Sequence, residues 1–314
     1  MSRSNKANSI ARCLELAVLL ETSAHKPGNV NVVTDFENTR YEHFLASAVA
    51  ITPSMEWGAR RGIAVSEGKL DLADVAVGKI IKACVAEIAA WQHGGNTLLG
   101  TAILLSPMAV AAGMTLAEEG FNLRLFRKNL KLVVESTTPQ DAVDLYTAVE
   151  IANPGGLGKA PDLDLNDPTS KKRILDEKIS IYKVFKIAEG YDTICSEWVN
   201  NYHVTFDLAY PSLHKHLHNT VDPSTAIVQT FLEILAEVPD TFIARKAGVE
   251  KAGQVSAKAR EIVELGGLET SKGRDALDKF DRELRKQSNI LNPGTTADVI
   301  AAALTVSTLS GYRP

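Results

Sequence analysis

The 314-residue sequence has few of the features that mark secreted, membrane-spanning or nucleic-acid-binding proteins. Its three cysteines, Cys13, Cys84 and Cys195, are far apart and form no C-x-x-C pair, which argues against a disulfide framework and a zinc knuckle. The net charge of −4 gives no basic excess for nucleic acid. Because the N-terminus also lacks an apolar signal segment, we expect a cytoplasmic protein.

Long apolar runs are scarce as well. The longest, from Leu98 to Met114, is shorter than the roughly 20 residues of a membrane span and contains Gly100, Ser106 and Pro107. We therefore expect no association with a membrane. The run is typical of a buried, central, apolar helix.

Strict alternation of apolar and polar residues is nearly absent, so strands are not expected beyond a very short one at Asn29–Val32. Apolar residues instead recur at helical spacing. The pattern predicts an all-α fold, a single multi-helix domain over 1–314 with an exposed loop around 154–170. The predicted helices are an opening one ending near Thr22, a short one around 44–51, a longer one at 72–91, and 98–113, 140–152, 171–189, 192–202, 224–236, 251–265, 273–287 and 296–310.

A polar turn, Lys26-Pro27-Gly28-Asn29, follows the opening helix. Gly28 lets the backbone approach a ligand closely, and Lys26 could meet a phosphate as a point charge. The alternative is an ordinary helix-ending turn with a solvated lysine, which this motif favours when it is taken alone.

The next polar stretch contains Asp35, Glu37 and His43 beside Arg40. Carboxylates of this kind suit Mg²⁺, which usually takes one or two of them together with substrate phosphates. An acidic helix N-terminus, stabilised by the helix dipole, explains the stretch equally well.

A third junction, Gly94-Gly95-Asn96-Thr97, precedes the apolar helix. Free N–H groups and the positive end of the dipole make a helix N-terminus a site for anions. Asn96 or Thr97 could cap the helix, but a cap accounts for only half of this polar cluster.

Two further junctions lie near the C-terminus. Asp240 is followed by Arg245 and Lys246, an acid and two bases that could serve a metal and a polyphosphate. Asp298 lies in the first turn of the last helix, after Asn292-Pro293-Gly294, and suits a dipole-stabilised carboxylate or a metal ligand.

Four histidines lie close together in the sequence, at His203, His214, His216 and His218. In an extended segment, the alternate spacing of the last three would place them on one side, as a zinc site requires. No acidic partner supports such a site, and solvated polar residues are the favoured interpretation.

Four of these segments, together with Phe44-Leu45-Ala46-Ser47-Ala48, resemble in the same order the motifs of the triphosphoribosyl-dephospho-CoA synthase family. The family's K-P-G-x-V, F-x-x-S-A, G-x-N-T-H-x-G, D-T-x-x-x-R and P-G-G-S-A-D motifs correspond here to 26–30, 44–48, 94–100, 240–245 and 293–298. The resemblance covers nearly the whole chain and identifies it as a divergent member. It implies an all-α enzyme that moves the triphosphoribosyl group of ATP onto a hydroxyl of dephospho-CoA and releases adenine.

The resemblance also suggests roles for the residues, with ATP as substrate and Mg²⁺ as metal. The implied ATP- and phosphate-binding residues are Lys26, Gly28, Asn29, Gly95, Asn96, Thr97, Arg245 and Lys246. The implied catalytic acids are Asp35, Asp240 and Asp298, and the implied metal ligands are Asp35, Glu37 and Asp298.

The sequence departs from the family pattern at three places. Leu98 occupies the position where the family has a histidine after N-T, and Thr295-Thr296 occupy the positions of its Gly-Ser. Many members have a histidine and paired aspartates where this sequence has Asp35–Arg40. The same donor chemistry on another coenzyme-type alcohol therefore stays open, as does a non-catalytic ATP-binding helical protein. The partners expected are small-molecule nucleotides and coenzymes, and a homo-oligomer is compatible with the sequence.

Overall fold

Helices make up nearly all the regular structure in a computed structural model that describes residues 3–115, 121–156, 158, 160–220, 222–286 and 289–314. Within these ranges there is no strand, only one isolated bridge between Asn31 and Thr34. The all-α prediction is confirmed, and the short strand expected at Asn29–Val32 is wrong. None of the described helices is both long enough and apolar enough to cross a membrane.

The α-helices of the described residues are α1 (Arg3–Ser23), α2 (Tyr41–Ser66), α3 (Val77–Trp91), α4 (Leu99–Thr115), α5 (Leu123–Glu135), α6 (Pro139–Ala152), α7 (Ser170–Asp176), α8 (Ile181–Ala188), α9 (Thr193–Val199), α10 (Tyr210–Asn219), α11 (Pro223–Glu237), α12 (Thr241–Ala247), α13 (Val249–Glu264), α14 (Ser271–Arg285) and α15 (Gly294–Leu309). A π-helical segment, Val204–Ala209, leads into α10.

Helix α4 is the predicted central apolar helix and is buried along almost its whole length. It packs on α1, α2, α3, α5 and α15. Its crossing with α2 is close: a Cβ on Gly62 would lie 1.9 Å from the carbonyl oxygen of Val110, and one on Gly113 would lie 2.2 Å from that of Ala59. The two glycines allow the backbones to meet.

Buried apolar side chains form two clusters, one built mainly from residues before 207 and one mainly from residues after 203. Helices α1 and α15 contribute to both. Leu14 and Val306 belong to the first cluster, whereas Ala17 and Leu304 belong to the second. These two helices therefore join the halves of the molecule.

Several predicted helix boundaries are wrong for local reasons. The second helix is longer than predicted. It contains Pro53 and continues past it to Ser66. The helix predicted at 72–91 begins at Val77, after Ala76 adopts a left-handed conformation. The helix predicted at 171–189 is two helices, since Lys178 has a positive φ and Ser180 caps α8.

The loop predicted around 154–170 is present up to the start of α7, with Leu157 and Lys159 outside the described residues. It is mostly exposed, but Leu163 is buried, and Asp164 and Leu165 are half-buried. The hydroxyl of Tyr146 donates to the Leu163 carbonyl oxygen over 2.5 Å. The loop is therefore tied to α6 and forms part of a cavity wall.

Candidate active site

A cavity of about 570 Å³ lies where the C-terminal end of α1, the N-terminal ends of α4 and α15, and helices α6, α8, α9 and α12 meet. This is within the usual range of ligand pockets, about 300–1,000 Å³. Seven of the residues predicted for the site line it: Asn29, Glu37, Asn96, Thr97, Arg245, Lys246 and Asp298. Five others, Lys26, Gly28, Asp35, Gly95 and Asp240, are outside its lining.

The first junction is held against α14. Gly28 has φ +72° and donates its N–H to the Asp281 carboxylate at 2.7 Å. Arg285 donates to the Asn29 carbonyl oxygen at 2.6 Å and pairs with Asp281 at 2.9 Å. A Cβ on Gly28 would lie 2.9 Å from Leu284. Gly28 thus shapes the turn that carries Asn29 to the cavity.

Lys26, predicted to bind phosphate, is 1% exposed. Its ammonium group lies 3.0 Å from a Glu21 carboxylate oxygen and donates to the carbonyl oxygens of Glu21 and Ala24. An ammonium group has three donors, and these contacts use them all. Lys26 is placed to hold Glu21 rather than a phosphate.

Glu21 lines the cavity and was not predicted as a site residue. It is 6% exposed and lies in the last turn of α1. A carboxylate there opposes the helix dipole, and the preceding residues Val18-Leu19-Leu20 are apolar. An acid at an electrostatically unfavourable position was the signal in the sequence that could have identified it.

The acidic stretch and the Gly94–Thr97 turn meet at the rim of the cavity. The Thr39 hydroxyl donates to the Gly94 carbonyl oxygen at 2.7 Å, and the hydroxyls of Ser47 and Thr97 are also 2.7 Å apart. Asn96 accepts the N–H of Leu99 at 3.1 Å and so caps α4. The predicted anion site at the start of α4 therefore has its cap and opens to the cavity.

The two predicted acidic metal ligands of this stretch differ in position. Glu37 lines the cavity. Asp35 is exposed, and one of its oxygens accepts the N–H of Tyr41 at 2.8 Å, at the start of α2. Among the described residues, no group of three histidine, cysteine or acidic side chains is arranged to hold a metal ion.

Asp298 projects from the first turn of α15 to the N-terminal end of α4. One oxygen accepts the Thr101 hydroxyl, and a Cβ on Gly100 would lie only 2.1 Å from the other. Burial, above all, raises the pKa of Asp298 to about 7, and the charges of Glu21 and Asp240 contribute. A carboxyl group with this pKa can exchange a proton near neutral pH.

Asp240 lies behind the cavity wall and is 2% exposed. One oxygen accepts the N–H groups of Phe242 and Ile243 at 2.9 and 3.1 Å, and the other accepts the N–H and hydroxyl of Thr296 at 2.7 and 2.8 Å. These bonds fix the start of α12 to the start of α15. They leave Asp240 without a contact to the cavity.

Among the described residues, the cations that line the cavity are on α12. Arg245 pairs with Asp192, and Lys246 lies over the ring of Phe242, with its ammonium nitrogen 4.1 Å from the ring centre. Burial and the neighbouring Arg245 lower the pKa of Lys246. A bound anion would reverse this effect. A Cβ on Gly156 would lie 3.1 Å from the Lys246 side chain, so the loop after α6 closes on it.

The wall formed by α6, α8 and α9 is mostly apolar and includes Leu145, Val149, Phe185 and Ile194. Cys195, also in this wall, has a pKa raised by burial and by Asp192, which does not favour a thiolate nucleophile. The cavity therefore combines a polar side at the helix ends with an apolar side.

The four histidines do not line the cavity. Helix α10 carries His214, His216 and His218, so the extended arrangement considered for zinc is wrong. His216 is 2.9 Å from Glu233 of α11, and the rings of His214 and His218, one turn apart, have centres separated by 4.1 Å.

The sequence is similar to that of one known protein family. Residues 7–314 match the family model described as ATP:dephospho-CoA triphosphoribosyl transferase. The 2-(5''-triphosphoribosyl)-3'-dephosphocoenzyme-A synthase of Pectobacterium atrosepticum is 30% identical over 114 residues, which cover 36% of this chain and 32% of that protein. The synthase of the same name from Klebsiella pneumoniae is 31% identical over 93 residues, 30% of each chain. The matches thus span about a third of these relatives.

A solved structure from Archaeoglobus fulgidus, provisionally described as a triphosphoribosyl-dephospho-coA synthase, has the same fold. Its TM-score is 0.61 at 21% identity, and the match covers 86% of this chain and 100% of that one.

Proposed function

Because the chain belongs to the ATP:dephospho-CoA triphosphoribosyl transferase family, we propose that it transfers the triphosphoribosyl group of ATP to an acceptor hydroxyl and releases adenine, with dephospho-CoA as the acceptor. The observation that carries the proposal is the cavity, where Asn96, Arg245 and Asp298 meet although they are far apart in sequence. It offers cations, a helix N-terminus and a carboxyl group, the groups that this chemistry requires.

The triphosphate is bound on the side of the cavity formed by α12 and the start of α4. Arg245 and Lys246 supply positive charge, and the N–H groups at the capped start of α4 supply donors. Lys246 lies in surroundings that disfavour its charge until an anion is present. Asn29 and Thr97 line the same cavity and offer polar side chains to the ribose or phosphates.

In the transfer, the bond between the ribose C1' of ATP and N9 of adenine breaks, and adenine leaves with the electron pair. A bond forms between C1' and the acceptor oxygen. Asp298 takes the proton of the acceptor hydroxyl and passes it to solvent, and the leaving adenine takes up a proton from solvent, so that charge and atoms balance. A positioned base of this kind contributes about 10²–10⁴-fold to the rate.

Mg²⁺ fits this site as a partner of the triphosphate rather than as a resident metal. The ion usually takes one or two carboxylates together with substrate phosphates, and Glu37 is the predicted ligand that lines the cavity without another bonded role. Asp35 bonds to the start of α2. When bound, Mg²⁺ would neutralise charge on the triphosphate.

A different acceptor alcohol is the second candidate, and one observation favours it. The cations among the described residues that line the cavity are Arg245 and Lys246, both on α12, whereas the wall of α6, α8 and α9 is mostly apolar. ATP and dephospho-CoA together carry five phosphate groups, which is many for two cations. An acceptor with less charge would suit the apolar wall.

Incubation with Mg-ATP and dephospho-CoA, followed by chromatography, is expected to show free adenine and a triphosphoribosylated product. Adenine that appears only with another alcohol would select the second candidate. ADP or AMP without adenine would contradict both, and ATP binding without any turnover would indicate a non-catalytic protein.

The variant Lys246→Met should weaken ATP binding about tenfold or more, because it removes a charge-assisted contact. Lys258→Met, an equivalent change on the exposed surface of α13, should leave ATP binding unchanged.

A further inference from the structure

Glu21 combines two energetically unfavourable features. It is a carboxylate in the last turn of α1, where the negative end of the dipole disfavours it. It is also 6% exposed, so that its charge is largely removed from water. An apolar or amide side chain would be the simpler choice for stability at this position. Side chains that are kept at positions unfavourable for stability are often functional.

Lys26 is the group that compensates for this charge. Its ammonium lies 3.0 Å from one carboxylate oxygen, and the Thr22 hydroxyl lies 3.3 Å from the other. Lys26 itself is buried and has no contact with the cavity. A buried ion pair is weak evidence for stability, since an apolar pair of the same size often does as well. The pair instead maintains an anion on the cavity wall.

The position of this anion matches the reacting region of the proposed transfer. Glu21 lines the same cavity as Asp298, Thr101 and Asn29. It is also close enough to Asp298 for its charge to act on that carboxyl group. Among the described residues, the cations that line the cavity are both on α12, whereas Glu21 is at the C-terminal end of α1. With the triphosphate bound to those cations, the proposed function puts the ribose next to Glu21.

We propose that Glu21 is a catalytic residue whose carboxylate, held by Lys26, stabilises the positive charge that develops on the ribose ring of ATP as the bond to adenine breaks. The inference depends on the proposed function. Fixed charges aimed at developing charge are usually the largest contribution to catalysis. Lys26 acts through Glu21 and is a positioning residue.

The first test is Glu21→Gln, which keeps the size of the side chain and one acceptor oxygen for Lys26 and removes the charge. The kcat for adenine release should fall by about 10²–10³-fold, whereas calorimetry should show ATP affinity little changed. Glu15→Gln makes the same change on α1, away from the cavity, and should keep wild-type kcat. Wild-type kcat in Glu21→Gln would overturn the inference, and so would a loss confined to ATP binding.

The second test separates catalysis from folding. Lys26→Met leaves Glu21 buried without its partner, so the midpoint of urea unfolding should fall. The double variant Glu21→Gln/Lys26→Met removes both charges and should regain the midpoint without regaining kcat. Return of kcat together with stability would show a purely structural pair and overturn the inference. If the wild-type protein releases no adenine with any acceptor, the proposed function itself fails.

Discussion

The surroundings of Asp298 favour the neutral, protonated form of its carboxyl group. Burial is the main cause that raises its pKa from 3.8 to about 7, and the negative charges of Glu21 and Asp240 add to it, whereas the Thr101 hydroxyl opposes it. A raised carboxyl pKa means that the folded protein holds a proton that the unfolded chain has lost. The resulting stabilisation is complete below pH 3.8 and is lost as the pH rises through about 7.

We therefore expect the free energy of unfolding of the wild-type protein, relative to Asp298→Asn, to decrease between pH 5 and pH 8. The asparagine does not titrate, so the difference isolates this one group. Urea unfolding at several pH values measures it, and Asp275→Asn, an exposed change on α14, serves as the control. A difference that stays constant with pH would contradict the environment described for Asp298.

At the residue scale, the sequence predicted types of group better than their contacts. Arg245, Lys246, Asn96 and Asp298 were predicted from charge and position at helix ends, and all line the cavity. The burial of Lys26 could not be predicted in this way, because a lysine in a turn is usually solvated. Its position depends on how the turn packs on α14, which is distant in the sequence.

At the level of elements, the crossing of α2 and α4 limits what Gly62 can become. A Cβ there would lie 1.9 Å from the carbonyl oxygen of Val110, and the obstacle is backbone rather than a movable side chain. Overpacking in Gly62→Ala should therefore cost about 1–3 kcal/mol. After the opposing gain of about 1 kcal/mol in helix propensity, the free energy of unfolding should fall by up to about 2 kcal/mol.

The matched control for this change is Gly253→Ala on α13, where an added Cβ meets nothing within 4 Å. There only the gain in propensity remains, and stability should rise by up to about 1 kcal/mol. Urea unfolding of the two variants gives the comparison. If Gly62→Ala were as stable as Gly253→Ala, the two helices could not cross as closely as described.

Helix periodicity predicted the continuous apolar run of α4 well, but it predicted only part of the long helix α2 and missed several shorter helices. Helix α4 was predicted to within two residues at each end because its apolar run is continuous. Helices α5, α10 and α12 were missed. Helices α10 and α12 bury few residues, two and one respectively, whereas α5 buries Phe126, Leu130 and Val133 at helical spacing and was recognisable from the sequence. The position of α12 is set by the side-chain bonds of Asp240, which the sequence pattern does not reveal.

At the scale of the whole molecule, the cavity depends on both apolar clusters. Helices α4, α6, α8 and α9 pack in the first cluster, and α12 packs in the second, while α1 and α15 belong to both. Arg245 and Lys246 therefore reach the cavity only if the clusters keep their relative position. Any separation of the two halves would move the cations away from Asp298.

The shared helices lead us to expect one cooperative unfolding transition, as a single domain over 1–314 requires. Separate unfolding of either cluster would expose apolar faces of α1 and α15 that the other cluster leaves uncovered. The three tryptophans, Trp57, Trp91 and Trp198, all precede residue 204, so fluorescence reports mainly on the first half, whereas far-UV ellipticity reports on all helices. The two signals should give the same midpoint in urea. A fluorescence transition that is distinct from the loss of ellipticity would show that the halves unfold independently.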